Sequence, residues 1–296
     1  MGLPRLSPAI ALAALTGCAA APGTIHIASG GNRRAYILAA PSAPAAPRPL
    51  LIALHGWLGT PTQMASMTGF STAAARLGVD VVYPKGEWRA WGIDETSPRG
   101  AADAAFLQAV ATDAASRTAI DRNRIFAVGF SDGGFMAQAL ACSGRLHLDG
   151  IAIVASGLAA RAAKTCKPDG PIPFLLIQGT ADPIVPTAGL PDGPANILPS
   201  WQTLQFWAGV NGCNGFTEAP APTAEPGTEV THATGLDCKG APTEAWFIQG
   251  AGHGWPGGDF GYPAFIVGRQ THAIDATQTV LRFLLARPQP AREPSA

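Results

Sequence analysis

Charge is scarce in this 296-residue chain: 14% of residues are Asp, Glu, Lys or Arg, and the formal net charge is zero. No long run of one sign occurs, which argues against recognition of nucleic acid or of an anionic membrane by charge. No CxxC pair and no His/Cys cluster at zinc spacing is present, so no metal is expected. Glycine and proline number 35 and 27, a share below that of disordered chains. Internal repeats are absent, and no stretch resembles a separate carbohydrate- or polymer-binding module. What the chain does have is hydrophobic residues, 47% of the total, enough for a large core in one domain or two. Arginine far outnumbers lysine, a coding bias without functional content.

The first residues carry an address. Met1 to Arg5 is a short, weakly basic region, and Leu6 to Leu15 is an apolar stretch too short to span a bilayer. Leu15-Thr16-Gly17-Cys18 follows and resembles a bacterial lipobox, in which the cysteine is lipidated and becomes the first mature residue. Residues 1–17 are therefore expected to be a lipoprotein-type signal peptide, with a plain cleaved secretory signal as the alternative. Residues 18–23 then form a short tether, and the protein belongs to the cell envelope or the exterior. Four cysteines remain in an oxidising compartment and allow three pairings. The two local ones, Cys142–Cys166 and Cys213–Cys238, are expected.

Short apolar runs alternate with longer helical ones. Thr24–Ala28 and Arg34–Ala39 read as a leading antiparallel pair of strands. Leu50–Leu54, Val79–Tyr83, Arg124–Phe130, Gly150–Ala155, Phe174–Gln178 and Ala245–Gln249 read as buried strands. Helices are expected over about 64–77, 101–116, the stretch after Ser131, and 273–286. This alternation predicts an α/β domain over 24–287, with a mostly parallel, doubly wound sheet and antiparallel strands at its N-terminal side. Residues 218–229 read as a polar loop, and 288–296 as an unstructured tail.

Val128-Gly129-Phe130-Ser131-Asp132-Gly133-Gly134 is G-x-S-x-G placed where a strand turns into a helix. Such a turn strains the serine backbone and needs small residues two positions to either side. A serine hydroxyl becomes nucleophilic when a base takes its proton and a third group orients that base. The partners are expected downstream, acid first and histidine second, in loops at the carboxyl ends of strands. Gln178-Gly179-Thr180-Ala181-Asp182-Pro183 and Gly250-Ala251-Gly252-His253-Gly254-Trp255-Pro256-Gly257 each leave an apolar strand and break into glycine or proline. They nominate Asp182 and His253. Oxyanion donors are expected from the backbone N–H of Asp132 and, after the third strand, of Trp57 in Leu54-His55-Gly56-Trp57. His55 reads as a brace for that loop.

With these segments in hand, the chain resembles the α/β-hydrolase esterases grouped as polyhydroxybutyrate depolymerases and feruloyl or acetylxylan esterases. Val82-Tyr83-Pro84, Ile120-Asp121-Arg122-Asn123-Arg124, and Trp207 with Asn211-Gly212-Cys213 add to the match, which spans roughly residues 24–286. The resemblance implies an α/β-hydrolase fold and a carboxylic ester hydrolase with catalytic Ser131, Asp182 and His253. It implies no cofactor, a small or polymeric ester as substrate, and Trp91 and Trp255 near the substrate pocket. Two departures stand out: Ala102-Asp103-Ala104 lacks a second acid, leaving Asp103 as a helix-start residue, and Gln178 replaces the family's usual histidine. Rival readings are a serine peptidase on the same fold, or a catalytically silent envelope lipoprotein that binds polymer or glycan.

Overall fold

A computed structural model describes residues 23–41, 46–192, 196–259 and 261–286. The expected signal peptide, Cys18 and the C-terminal tail lie outside the described residues. Five strands precede the serine: β1 (Thr24–Ser29), β2 (Asn32–Ala39), β3 (Arg48–Leu54), β4 (Asp80–Pro84) and β5 (Ile120–Phe130). Five follow it: β6 (Gly150–Val154), β7 (Phe174–Gly179), β8 (Gly215–Pro220), β9 (Val230–Leu236) and β10 (Thr243–Ile248). They form one sheet in the order β1-β2-β4-β3-β5-β6-β7-β10-β9-β8. The six central strands run parallel, and an antiparallel pair closes each edge.

The central strands are apolar on both faces because helices cover both. Leu50, Ile52, Ile125, Ala127, Ile151 and Ile153 face one core. Their neighbours Leu51, Ala53, Phe126, Val128, Ala152 and Val154 face the other, the two-residue alternation of a pleated strand. Helices α1 (Pro61–Thr68) and α2 (Phe70–Arg76) cover the second core, and α3 (Pro98–Arg117) and α4 (Asp132–Cys142) the first. After β6 come α5 (Ala160–Thr165) and α6 (Ser200–Val210), then α7 (Ala264–Val267) and α8 (Ala276–Leu285). Among the described residues no helix is long and apolar enough to cross a membrane.

Three expectations need correction. The helix expected over 64–77 is two, because Gly69 takes a left-handed φ of 62° and its N–H closes α1 on the Ala65 carbonyl. Asp103 does not start its helix. Ser97 caps α3 by accepting the Gly100 N–H, which leaves Asp103 inside, buried and 2.8 Å from the Arg34 guanidinium. Residues 218–229 are not all loop: β8 runs to Pro220 and pairs with β9 in a hairpin. Proline and scattered polar residues hide this edge pair from a pattern search, since an edge hairpin buries little of either face.

The structure pairs Cys142 with Cys166 and Cys213 with Cys238. The second bridge closes the open end of the β8–β9 hairpin, next to the Gly215–Leu236 pair. The first ties the C-terminus of α4 to the residue after α5. In the chain-entropy account a loop of this size contributes about 3 kcal/mol. Replacing both Cys142 and Cys166 by serine is therefore expected to lower the unfolding free energy by about 3 kcal/mol. Urea unfolding checks this, and an unchanged midpoint contradicts it.

Candidate active site

Ser131 stands alone between β5 and α4, with φ 52° and ψ −119°. A non-glycine residue in that region is strained by about 1–3 kcal/mol, so the surroundings must impose it. They do so by crowding. A Cβ at Gly129 would lie 2.0 Å from the Gly133 carbonyl oxygen, and one at Gly133 would lie 2.2 Å from that of Leu54. The Ser131 N–H donates to the Val154 carbonyl and the Gly134 N–H to that of Ser131, at 2.9 and 2.8 Å. The hydroxyl is thus held above the ends of β3, β5 and β6.

Asp182 follows β7 and His253 follows β10, two neighbouring parallel strands, so their loops emerge side by side. His253 Nδ1 lies 2.8 Å from Asp182 Oδ2, and its Nε2 lies 2.9 Å from Ser131 Oγ. A carboxylate only accepts, so Nδ1 carries the proton and Nε2 offers its lone pair to the hydroxyl. Asp182 is fixed by further donors: the Ile184 and Val185 amides bond Oδ1 at 2.8 Å each, and Gln178 Nε2 donates to Oδ2 at 3.2 Å. The Asp-Pro turn thereby closes on its own side chain. The His253 N–H donates to the Val267 carbonyl, which pins its loop to α7. All three side chains are buried.

Gln178, which stands where the resembled family has histidine, serves the acid. Its amide also donates to the Val185 carbonyl at 2.8 Å, so it anchors both the acid and the turn behind it. A polar residue near the end of the otherwise apolar β7 was the available signal.

The loop after β3 packs beside the serine: a Cβ on Gly56 would lie 3.3 Å from Ser131 Cβ. The Asp132 amide occupies the first position of α4, where no intrahelical carbonyl reaches it. The Trp57 amide enters no backbone hydrogen bond among the described residues. His55 braces this loop, donating from Nδ1 to the Gly56 carbonyl at 2.8 Å and accepting the Gly86 N–H on Nε2 at 3.0 Å. Both bonds suit the neutral ring, and burial pushes its pKa down to about 4. The Asp132 carboxylate is not solvated. It accepts the Trp91 N–H at 2.7 Å, and burial pushes it up to about 6.

Trp91 and Trp255 are not pocket walls, contrary to expectation. They are 3% and 1% exposed, and neither lines the cavity at Ser131. Trp91 donates its indole N–H to the His55 carbonyl, and Trp255 donates to Thr277 while packing edge-on against Phe130. A buried indole needs an acceptor, and each finds one in the scaffold. The cavity, about 300 Å³, is walled instead by Trp57, Met64, Met67, Phe130, Ile184 and Val267, with Tyr262 and Asp259 nearby. Among the described residues no cluster of side chains suited to a metal occurs.

Residues 93–190 match the Phospholipase/Carboxylesterase family. The chain is 32% identical over 281 residues to "Putative esterase NocK" of Nocardia uniformis subsp. tsuyamanensis, covering 88% of this chain and 81% of that protein. It is 29% identical over 189 residues to feruloyl esterase B of Piromyces equi, 59% of this chain and 34% of that one. Among solved structures, acetyl xylan esterase from Aspergillus awamori superposes with a TM-score of 0.59 at 16% identity, covering 78% of this chain and 94% of its own. That likeness concerns the fold.

The two shifted groups act on stability in opposite senses. Below the ordinary histidine value of 6.5 the unfolded chain binds a proton that folded His55 refuses until about pH 4, so acid weakens the fold. Between 3.8 and about 6, folded Asp132 keeps a proton that the unfolded chain releases, so rising pH weakens it. The two offset each other over about pH 4–6. Asp132→Asn removes only the second effect. Relative to the parent, its unfolding free energy is expected to rise from pH 4 to 6, by at most about 3 kcal/mol. A pH-independent difference in urea unfolding contradicts this.

Proposed function

We propose that this chain, which belongs to the α/β-hydrolase esterases, is an exported serine esterase whose catalytic domain spans residues 24–287. The observation that carries the reading is the unbroken hydrogen-bond chain from Asp182 through His253 to Ser131. Ser131 Oγ attacks the ester carbonyl while His253 Nε2 takes its proton, and the tetrahedral oxyanion accepts from the Trp57 and Asp132 amides. Collapse expels the alcohol, which receives that proton. Water, activated by the same imidazole, attacks the acyl-enzyme and releases the acid and the free serine. Asp182 holds the tautomer and balances the imidazolium charge, and its four donors hold it in place. No step calls for a cofactor.

An uncharged ester fits the apolar cavity, and the name of the feruloyl esterase relative points to feruloyl esters, with acetylated-xylan and small aliphatic esters and polyhydroxybutyrate as competitors. Export is supported by two disulfides, and the lipobox-like leader makes Cys18 the lipid attachment point. Ser131→Ala is expected to lower turnover of p-nitrophenyl butyrate by about 10⁶-fold, as loss of a triad nucleophile does elsewhere. Turnover within tenfold of the parent, or no reaction of the parent with a fluorophosphonate probe, overturns the assignment. Relative kcat/KM on methyl ferulate, acetylated xylan, polyhydroxybutyrate film and short acyl esters ranks the substrates.

A further inference from the structure

Exposed large hydrophobic side chains are not spread over this molecule. Nine occur among the described residues. Five, Trp57 and Tyr262 among them, line the cavity itself. Two more, Phe265 and Trp88, neighbour residues of the cavity loops along the chain. Phe265, 88% exposed, precedes the lining residue Ile266 in α7. Trp88, 84% exposed, adjoins Arg89, which is bound to the lining residue Leu58 through the Leu58 N–H, at 2.8 Å, and through its own guanidinium.

The backbone presents this rim against its own preference. Leu58, Trp88 and Arg89 all take positive φ, of 57°, 50° and 60°, where side-chain-bearing residues are disfavoured. A protein that exposes a contiguous apolar patch marks a contact surface by doing so.

Which surface fits follows from what the mouth lacks. No lysine or arginine lines the cavity, and the Arg89 cation beside Trp88 is matched by the Asp259 carboxylate in the lining, so an anionic surface finds no net counter-charge. The wall is dominated by methionine, phenylalanine and aliphatic side chains, which offer few partners to hydroxyls or to repeated carbonyls. A second copy of the chain seated on the rim would cover the cavity over Ser131 and leave the hydroxyl without substrate. An uncharged acyl-lipid surface meets all three conditions. Its chains are apolar, its esters lie at the boundary with water, and one acyl chain can pass from the aggregate into the cavity without crossing solvent.

Building on the esterase reading, we propose that Trp88, Phe265 and the cavity rim dock the mouth onto the surface of neutral acylglycerol aggregates, from which Ser131 draws its ester. The interaction would be read with emulsified trioctanoylglycerol and the Ser131→Ala protein, so that the droplets are not consumed. The protein is expected to float with the droplets, and Trp88→Ser and Phe265→Ser in the same background are each expected to cut the bound fraction about tenfold, the order of one buried aromatic. In the Ser131-containing protein the same two substitutions are expected to leave kcat/KM on dissolved p-nitrophenyl acetate within about twofold, since neither residue lines the cavity. Failure to float, equal flotation of the variants, binding to polyhydroxybutyrate film in place of droplets, or a tight dimer that the two substitutions dissociate would each overturn the proposal. Flotation is measured without turnover, so failure of the esterase assignment would show separately, as unchanged butyrate hydrolysis by Ser131→Ala.

Discussion

A carbonyl oxygen of Leu54 occupies the space that any side chain at position 133 would need. That close approach brings the exit of β3 against the first turn of α4, and every other feature of the site is hung from it. It packs the loop that carries Trp57 beside Ser131, whose backbone is forced into unfavourable angles. The strain is sustained by extensive packing: β5 lies in the middle of the sheet, its apolar end buried on both faces. An edge strand would relax instead.

The polar groups form a second, economical layer. In a chain with so little charge, the buried ionisable groups near the site are committed to backbone donors or to one another. Asp182 takes two loop amides, the Gln178 amide and His253. Asp132 takes the Trp91 amide, and Trp91 in turn bonds the carbonyl of His55. Gly86, Arg89 and Trp91 thus clamp the loop after β3 from behind, Gly86 on the His55 ring, Arg89 on Leu58 and Gly59, and Trp91 on the His55 carbonyl. The same segment carries Trp88 outward. Bracing inside and apolar presentation outside are two faces of one turn.

Reading residues in order reaches a long way here because a parallel α/β sheet advertises itself. Buried strands such as Leu50–Leu54 are continuous apolar runs, and glycine and proline punctuate the loops that follow. The nominated serine, acid and histidine each sit directly after such a strand, so position along the chain translates into position at one edge of the sheet. The hairpin of β8 and β9 escaped because β8 lies at the sheet's edge and β9 buries only Val230 and Ala233, too few apolar positions to form a pattern. Trp91, Trp255 and Asp103 were misplaced for a shared reason: an indole or a carboxylate looks alike in sequence whether it faces a ligand or a buried partner.

Local chemistry, then, was already decided in the linear chain: a tight glycine-flanked serine turn, an Asp-Pro turn and a glycine-bounded histidine, each able to form from short-range sterics and hydrogen bonds. Direction was not. That His253 presents Nε2 to Ser131 across 122 positions, that Gln178 backs the acid, and that five exposed apolar side chains line one cavity arise when segments far apart in sequence become neighbours. Contacts between distant segments depend on the registry of the whole sheet, and no window of adjacent residues contains it.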